Sequence, residues 1–143
     1  MEKYMSNYRF RVVLGNVPGY NPEVISFARA SGLQLSLEFE ELAEGGLNDR
    51  PHVLNNPAKK NGTLVLERGV AGKKGWMARM RPGLHLGTWL RISLMDARND
   101  KILRSYEIED GVVTKWELSP LDAMGHEVLI EKLEIQYVGL KLS

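Results

Sequence analysis

An antiparallel β-sandwich or barrel with one short helix is the fold class this sequence predicts, on three observations. Its dominant hydrophobic period is two, its strand-length runs are punctuated by turn residues, and only one stretch has helical spacing. The clearest alternation sets Leu33, Leu35, Leu37 and Phe39 against Gln34, Ser36, Glu38 and Glu40. That pattern reads as a half-buried strand with the apolar residues toward the core. Residues 10–14, 63–67, 89–95, 103–108 and 112–118 read as further strands. In the C-terminal run 127–142, Val128 and Ile130 share one face, then Leu133, Ile135 and Tyr137 follow. The step of three from Ile130 to Leu133 predicts a bulge at Glu131-Lys132. Arg98-Asn99-Asp100 predicts a hairpin turn within 96–101, and Asp110-Gly111 predicts a second tight bend. The helix is expected over 73–80, with Trp76 and Met80 on one face and Pro82-Gly83 closing it. Trp89 and Trp116 fall in expected strands and read as core anchors, while Trp76 would pack the helix over an open barrel end.

At 143 residues the chain has the length of one domain, spanning 1–143, and can bury a sizeable core. With 43% apolar and 26% charged residues it has the composition of a folded globular protein. The 19 basic and 18 acidic side chains leave a net charge of +1, which argues against nucleic acid or an anionic membrane as the main partner. The absence of cysteine removes disulfides and thiolate metal sites. The opening MEKYMSNYRF has no apolar core of a signal peptide, and no run reaches membrane-span length, so folding and assembly in the cytoplasm are expected.

Catalytic chemistry finds no foothold. His52, His85 and His126 fall in expected loops without metal-ligand spacing, so they read as surface or interface residues. Glu38 and Glu40 share a strand face about 7 Å apart, a spacing open to paired carboxylate catalysis but equally to an ordinary polar face. No serine sits in a G-x-S-x-G elbow, and Ala71-Gly72-Lys73-Lys74-Gly75 lacks the phosphate-loop spacing. The doublets Lys59-Lys60 and Lys73-Lys74 read as solvated loop charges. No catalytic residue, cofactor or metal is expected.

The stretch 40–70 is the most informative. Some twenty polar, Gly- and Pro-marked residues separate two expected strands, and a compact domain rarely keeps so long a connection without a use for it. With no chemistry in it, the expected use is binding to another copy of the chain or to a partner.

The order of motifs resembles the tail tube protein family of contractile phage tails and phage-tail-like contractile injection systems. FARASGL at 27–33 is similar to the family's F-x-x-V-S-G-L, with Ala30 in place of Val. An acidic strand end then runs into Glu44-Gly45-Gly46 and Asn48-Asp49, followed by Pro57-Ala58-Lys59 and by a strand ending in Arg68-Gly69-Val70. After Trp116, SPLDAMGHEVLIEKLEIQYVGL resembles the family's closing pattern, with His126 where Asn is common. The helix expected after Val70 is shorter and more basic than the family's. The likeness runs from about Tyr8 to Leu140.

This resemblance implies a tail-tube-like subunit that forms hexameric rings stacked into a hollow tube. The implied partners are further copies, a surrounding sheath protein, baseplate or tube-initiator proteins, and cargo or a tape-measure protein in the lumen. Nucleic acid would enter only as lumen cargo of a phage, and the chain itself would not insert into a membrane. The parent object would be a phage tail or a phage-tail-like particle, released by lysis or anchored to a membrane. On this reading Glu44, Gly45, Gly46, Asn48, Asp49, Pro57, Lys59 and Arg68 contact a neighbouring subunit, with turn caps within the subunit as the rival reading of Asp49 and Arg68. Gln34, Ser36, Glu38 and Glu40 would face the lumen. Rival readings are a tube-initiator or baseplate adaptor of the same fold, and a ligand-binding barrel or enzyme using Glu38 and Glu40.

Overall fold

The computed structural model describes residues 4–5, 7–15, 23–38, 41–42, 52–53, 58–59, 62–70, 80–87 and 90–142. Among these residues the regular structure is entirely β. The strands are β1 (Tyr8–Leu14), β2 (Glu23–Ile25), β3 (Arg29–Ser31), β4 (Leu37–Glu38), β5 (Glu41–Leu42), β6 (His52–Val53) and β7 (Ala58–Lys59). They continue with β8 (Gly62–Gly69), β9 (His85–Gly87), β10 (Leu90–Asp96), β11 (Ile102–Glu109), β12 (Gly111–Leu118), β13 (Ile130–Tyr137) and β14 (Gly139–Leu142). The expected helix, with Trp76, and the expected anchor Trp89 lie outside the described residues, except that Met80 is buried in the core.

Two five-stranded sheets form the body, ordered β14-β11-β10-β1-β2 and β3-β8-β13-β12-β9, and every pairing is antiparallel. Successive strand residues point to opposite faces, so each strand offers alternate side chains to the space between the sheets. The first sheet contributes Val12, Leu14, Leu90, Ile92 and Ile108, and the second contributes Leu64, Leu66, Leu86, Val113, Leu133, Ile135 and Tyr137. Together with Phe27 and Met80 they make one core, with Phe10, Ala30, Leu33, Leu84 and Leu140 packed around it. Burial of this kind contributes roughly 25 cal/mol per Å2 of apolar surface and dominates the stability of a sandwich.

The two sheets are joined by strands that bend from one into the other. Only Asp110 separates β11 in the first sheet from β12 in the second, and only Val138 separates β13 from β14. Asp110 adopts φ 53°, a conformation that short polar residues tolerate. The amide of Val138 donates to the Glu109 carbonyl at 3.0 Å, so the two bends lie side by side. The bend expected at Asp110-Gly111 is therefore a change of sheet. The turn expected in 96–101 closes the β10–β11 hairpin, with Asp96 donating to the Lys101 carbonyl at 2.9 Å and Asp100 at φ 56°.

Three sequence expectations need correction. No bulge occurs at Glu131-Lys132: β13 pairs with β8 in unbroken register, and Ile130 lies on the outer face. The irregularity is on the partner strand, between Val113 and Lys115. Leu35 is exposed, because Gly32 at φ 93° turns the chain out of the ladder and ends the alternation there. Trp116 is also exposed, at 43%, although its cross-strand partner Leu133 is fully buried.

Candidate functional site

The long connection begins and ends on the second sheet, and the pairing register follows it outward. Arg29, Ala30 and Ser31 pair with Glu67, Leu66 and Val65, and further on Leu37 and Glu38 pair with Lys59 and Ala58. Glu41 and Leu42 then pair with Val53 and His52. These two short antiparallel pairings, together the ribbon, are separate two-stranded sheets beyond β3 and β8. His52 and His85 accordingly lie in short strands, whereas His126 is in the loop after β12.

Where the ribbon leaves the sheet, Tyr137 holds its base. The phenol is nearly fully buried, and its hydroxyl donates to the Gly32 carbonyl at 2.6 Å. The same oxygen accepts from the Gln34 amide at 3.0 Å and lies 3.2 Å from the Gln34 carbonyl. Two glycines make room for this clamp. A Cβ at Gly62 would collide with the Tyr137 ring, and one at Gly32 would collide with the Thr63 carbonyl.

Of the residues expected at a subunit contact, Glu44, Gly45, Gly46, Asn48, Asp49 and Pro57 lie outside the described residues. Lys59 is in β7, paired with Leu37. Arg68 is on β8, directly opposite Glu131 in register, and its Nε donates to the neighbouring Gly69 carbonyl at 3.4 Å. One carboxylate oxygen of Glu131 is buried with no hydrogen-bond partner. Of the residues expected to face a lumen, Gln34 and Ser36 are exposed, Glu38 is in β4, and Glu40 lies outside the described residues.

A second surface lies at the end of β12 and the start of β13. The intervening segment is held at its base by Ser119, whose amide donates to the Ile130 carbonyl at 2.9 Å and whose hydroxyl accepts from the Ile130 amide at 3.0 Å. Asp122 accepts from the Met124 amide at 3.0 Å, an Asx turn that organises the tip. The segment borders a cleft of about 680 Å3 and exposes Leu121, Met124 and Val128. Its serine and aspartate are thus engaged in building the loop. Among the described residues, no group of three or more His, Asp or Glu side chains is arranged to hold a metal ion.

Sequence reasoning missed a row of charges on the outer face of the second sheet. Arg29, Glu67, Lys132 and Glu117 stand side by side across β3, β8, β13 and β12, alternating in sign. Arg29 approaches Glu67 at 3.8 Å and Lys132 approaches it at 3.6 Å. In the next row Lys115 stands opposite Glu134. The alternation of Lys115-Trp116-Glu117 and Glu131-Lys132-Leu133-Glu134 was visible in the chain, but only the register aligns it.

The T4-like virus tail tube protein gp19 family matches this chain over residues 6–141. No curated protein matches the chain. Among solved structures, a chain of the anti-feeding prophage baseplate is 27% identical, with a TM-score of 0.74 over 100% of this chain and 97% of that one. A chain of the PVC extracellular contractile injection system sheath-tube complex in its extended state is 20% identical, with a TM-score of 0.73 over 99% and 93% of the two chains. Hcp1 from Flavobacterium johnsoniae shares the fold at 14% identity, with a TM-score of 0.53 over 94% of each chain. Among the described residues no helix is long and apolar enough to cross a membrane.

Proposed function

The chain belongs to the T4-like virus tail tube protein gp19 family and is a structural inner tube subunit, and we propose that its copies close into six-fold rings stacked as a hollow conduit. The observation that carries this reading is the family match over residues 6–141 on a sandwich whose sheets end in open edges. Among the described residues, the edge strands β2, β14, β3 and β9 each pair with a neighbour on one side only. Neighbouring copies pair with such edges when a ring closes. The ribbon supplies a second argument. Two strands alone are marginal in water, so a ribbon continuing beyond the sheet gains stability by lying against another surface.

On this reading Glu44, Gly45, Gly46, Asn48, Asp49 and Pro57, together with Lys59 and Arg68, contact a neighbouring subunit. Gln34, Ser36, Glu38 and Glu40 contribute to the channel. A sheath protein surrounds the tube, baseplate proteins nucleate it, and cargo or a tape-measure protein occupies it. Assembly takes place in the cytoplasm, the particle leaves by lysis or stays membrane-anchored, and the subunit catalyses nothing. Its work is mechanical: a rigid conduit driven through an envelope as the sheath contracts.

Negative-stain electron microscopy of the purified chain, with light scattering on the same sample, tests this. Long hollow tubes of stacked rings are expected. A strictly monomeric species at all concentrations overturns it. Single rings that never stack would favour a tube initiator of the same fold, a reading to which the 27% identity with a baseplate chain lends weight.

A further inference from the structure

Resting on that assembly reading, we infer that the β10–β11 hairpin end of one copy docks against the segment 119–130 of a second copy. The contact joins a basic, apolar surface to an acidic, apolar one, and each is built as half of such a pair.

The hairpin end is the basic half. Ile102 opens β11 opposite Met95, Arg104 stands opposite Leu94, and Leu103 between them is an extra residue without a partner in the register. A bulge of this kind takes consecutive side chains out of strict alternation. Ile102 and Leu103 accordingly both reach the surface, 45% and 42% exposed. Lys101 and Arg104 flank them, exposed and without an ion pair among the described residues. The nearby Arg9 and Arg98 are by contrast engaged with Asp100 and Asp96. Because β14 pairs with β11 only from Tyr106 onward, it leaves residues 102–104 uncovered on that edge.

The segment 119–130 is the acidic half. Leu121 and Val128 line its cleft of about 680 Å3, and with Met124 they are the most exposed apolar side chains of the segment. Asp122 and Glu127 also line the cleft, and neither has an ion-pair partner among the described residues. The segment contains no Lys or Arg to balance them.

Exposed apolar side chains clustered beside polar ones mark a contact surface, and the charges identify its occupant. Two unpaired cations border the apolar pair on the hairpin, and two unpaired anions border the apolar cleft. Charges of opposite sign arranged to meet steer an encounter and fix its register. Two copies meeting through the same surface would oppose like charges, so the contact runs head to tail. A head-to-tail contact closes a ring or extends a stack.

Two variants reverse the charges, Lys101→Glu with Arg104→Glu and Asp122→Lys with Glu127→Lys. All four positions are exposed, so unfolding curves like the parent's are expected. By light scattering and electron microscopy, each variant alone is expected to need a roughly tenfold higher concentration than the parent to assemble. Mixed in equal amounts they are expected to assemble like the parent, because each reversed hairpin then meets a reversed segment. Position is read by combining Leu103→Cys and Met124→Cys in one chain, which otherwise has no cysteine. Oxidised after assembly, this variant is expected to run as covalent multimers on a non-reducing gel, and either single variant as monomers. Charge-reversed variants that assemble like the parent, a mixture that does not recover, or assembled L103C/M124C chains that stay monomeric on the gel overturn this contact and leave the assembly reading standing. A parent chain that stays monomeric overturns the assembly reading, and this contact with it.

Discussion

At the scale of single residues, Tyr137 connects the core to the ribbon. Its ring fills the space left by Gly62, and its hydroxyl bonds to backbone groups of Gly32 and Gln34, more than one hundred residues earlier in the chain. Tyr137→Phe keeps the packing and removes those bonds, so a loss of about 1–2 kcal/mol in denaturant unfolding is expected. A loss near that of a core deletion would mean the ring itself had moved. Asp96 makes a different prediction. The Arg98 amide, then the Arg98 guanidinium, donate to its carboxylate and hold its pKa below the ordinary 3.8. The folded state therefore binds this proton less readily than the unfolded state does. Stability from this contact is present above the unfolded pKa and is lost as pH falls below about 3.8 through the folded value. Asp96→Asn should flatten that part of an acid-unfolding profile, and an unchanged profile would assign the acid sensitivity to other carboxylates.

At the scale of elements, the decisive devices are the two single-residue changes of sheet. Asp110 at φ 53° lets β11 pass directly into β12. Asp110→Gly is expected to leave thermal stability nearly unchanged. Asp110→Val places a β-branched residue in the left-handed region and is expected to cost about 1–2 kcal/mol. Equal stability of the two variants would show that the bend does not constrain the backbone. The long strands themselves were legible from alternation: the expected 10–14, 63–67, 103–108 and 112–118 fall within β1, β8, β11 and β12. The short β2 and β9 carried no such pattern. Three residues are too few to show a period, and they are strands because the neighbouring sheet edge supplies hydrogen bonds.

At the scale of the whole molecule, core and assembly surfaces are separable. Among the described residues the core draws on the two five-stranded sheets together with Phe27 and Met80. If the segment 44–49 serves assembly rather than folding, replacing it with a short Gly-Ser turn is expected to change subunit unfolding by less than about 1 kcal/mol while abolishing tubes in electron micrographs. Normal tubes from that variant would remove the segment from the subunit contact. Loss of folding would instead show that the segment belongs to the core.

The chain by itself determined the class of fold, because alternation of apolar residues with polar ones is a local property that each strand carries alone. It also carried the motif order by which the tail tube family resemblance could be read, from FARASGL to the closing run after Trp116. It did not determine which strands adjoin, and a period of two is silent about partners. Thus Trp116 reads as a core residue in the sequence but is exposed in the fold, and Leu35 looked buried until Gly32 turned the chain away. The charge ladder needed tertiary structure most of all. Arg29, Glu67, Lys132 and Glu117 are scattered along the chain, and only the register of four strands makes them neighbours.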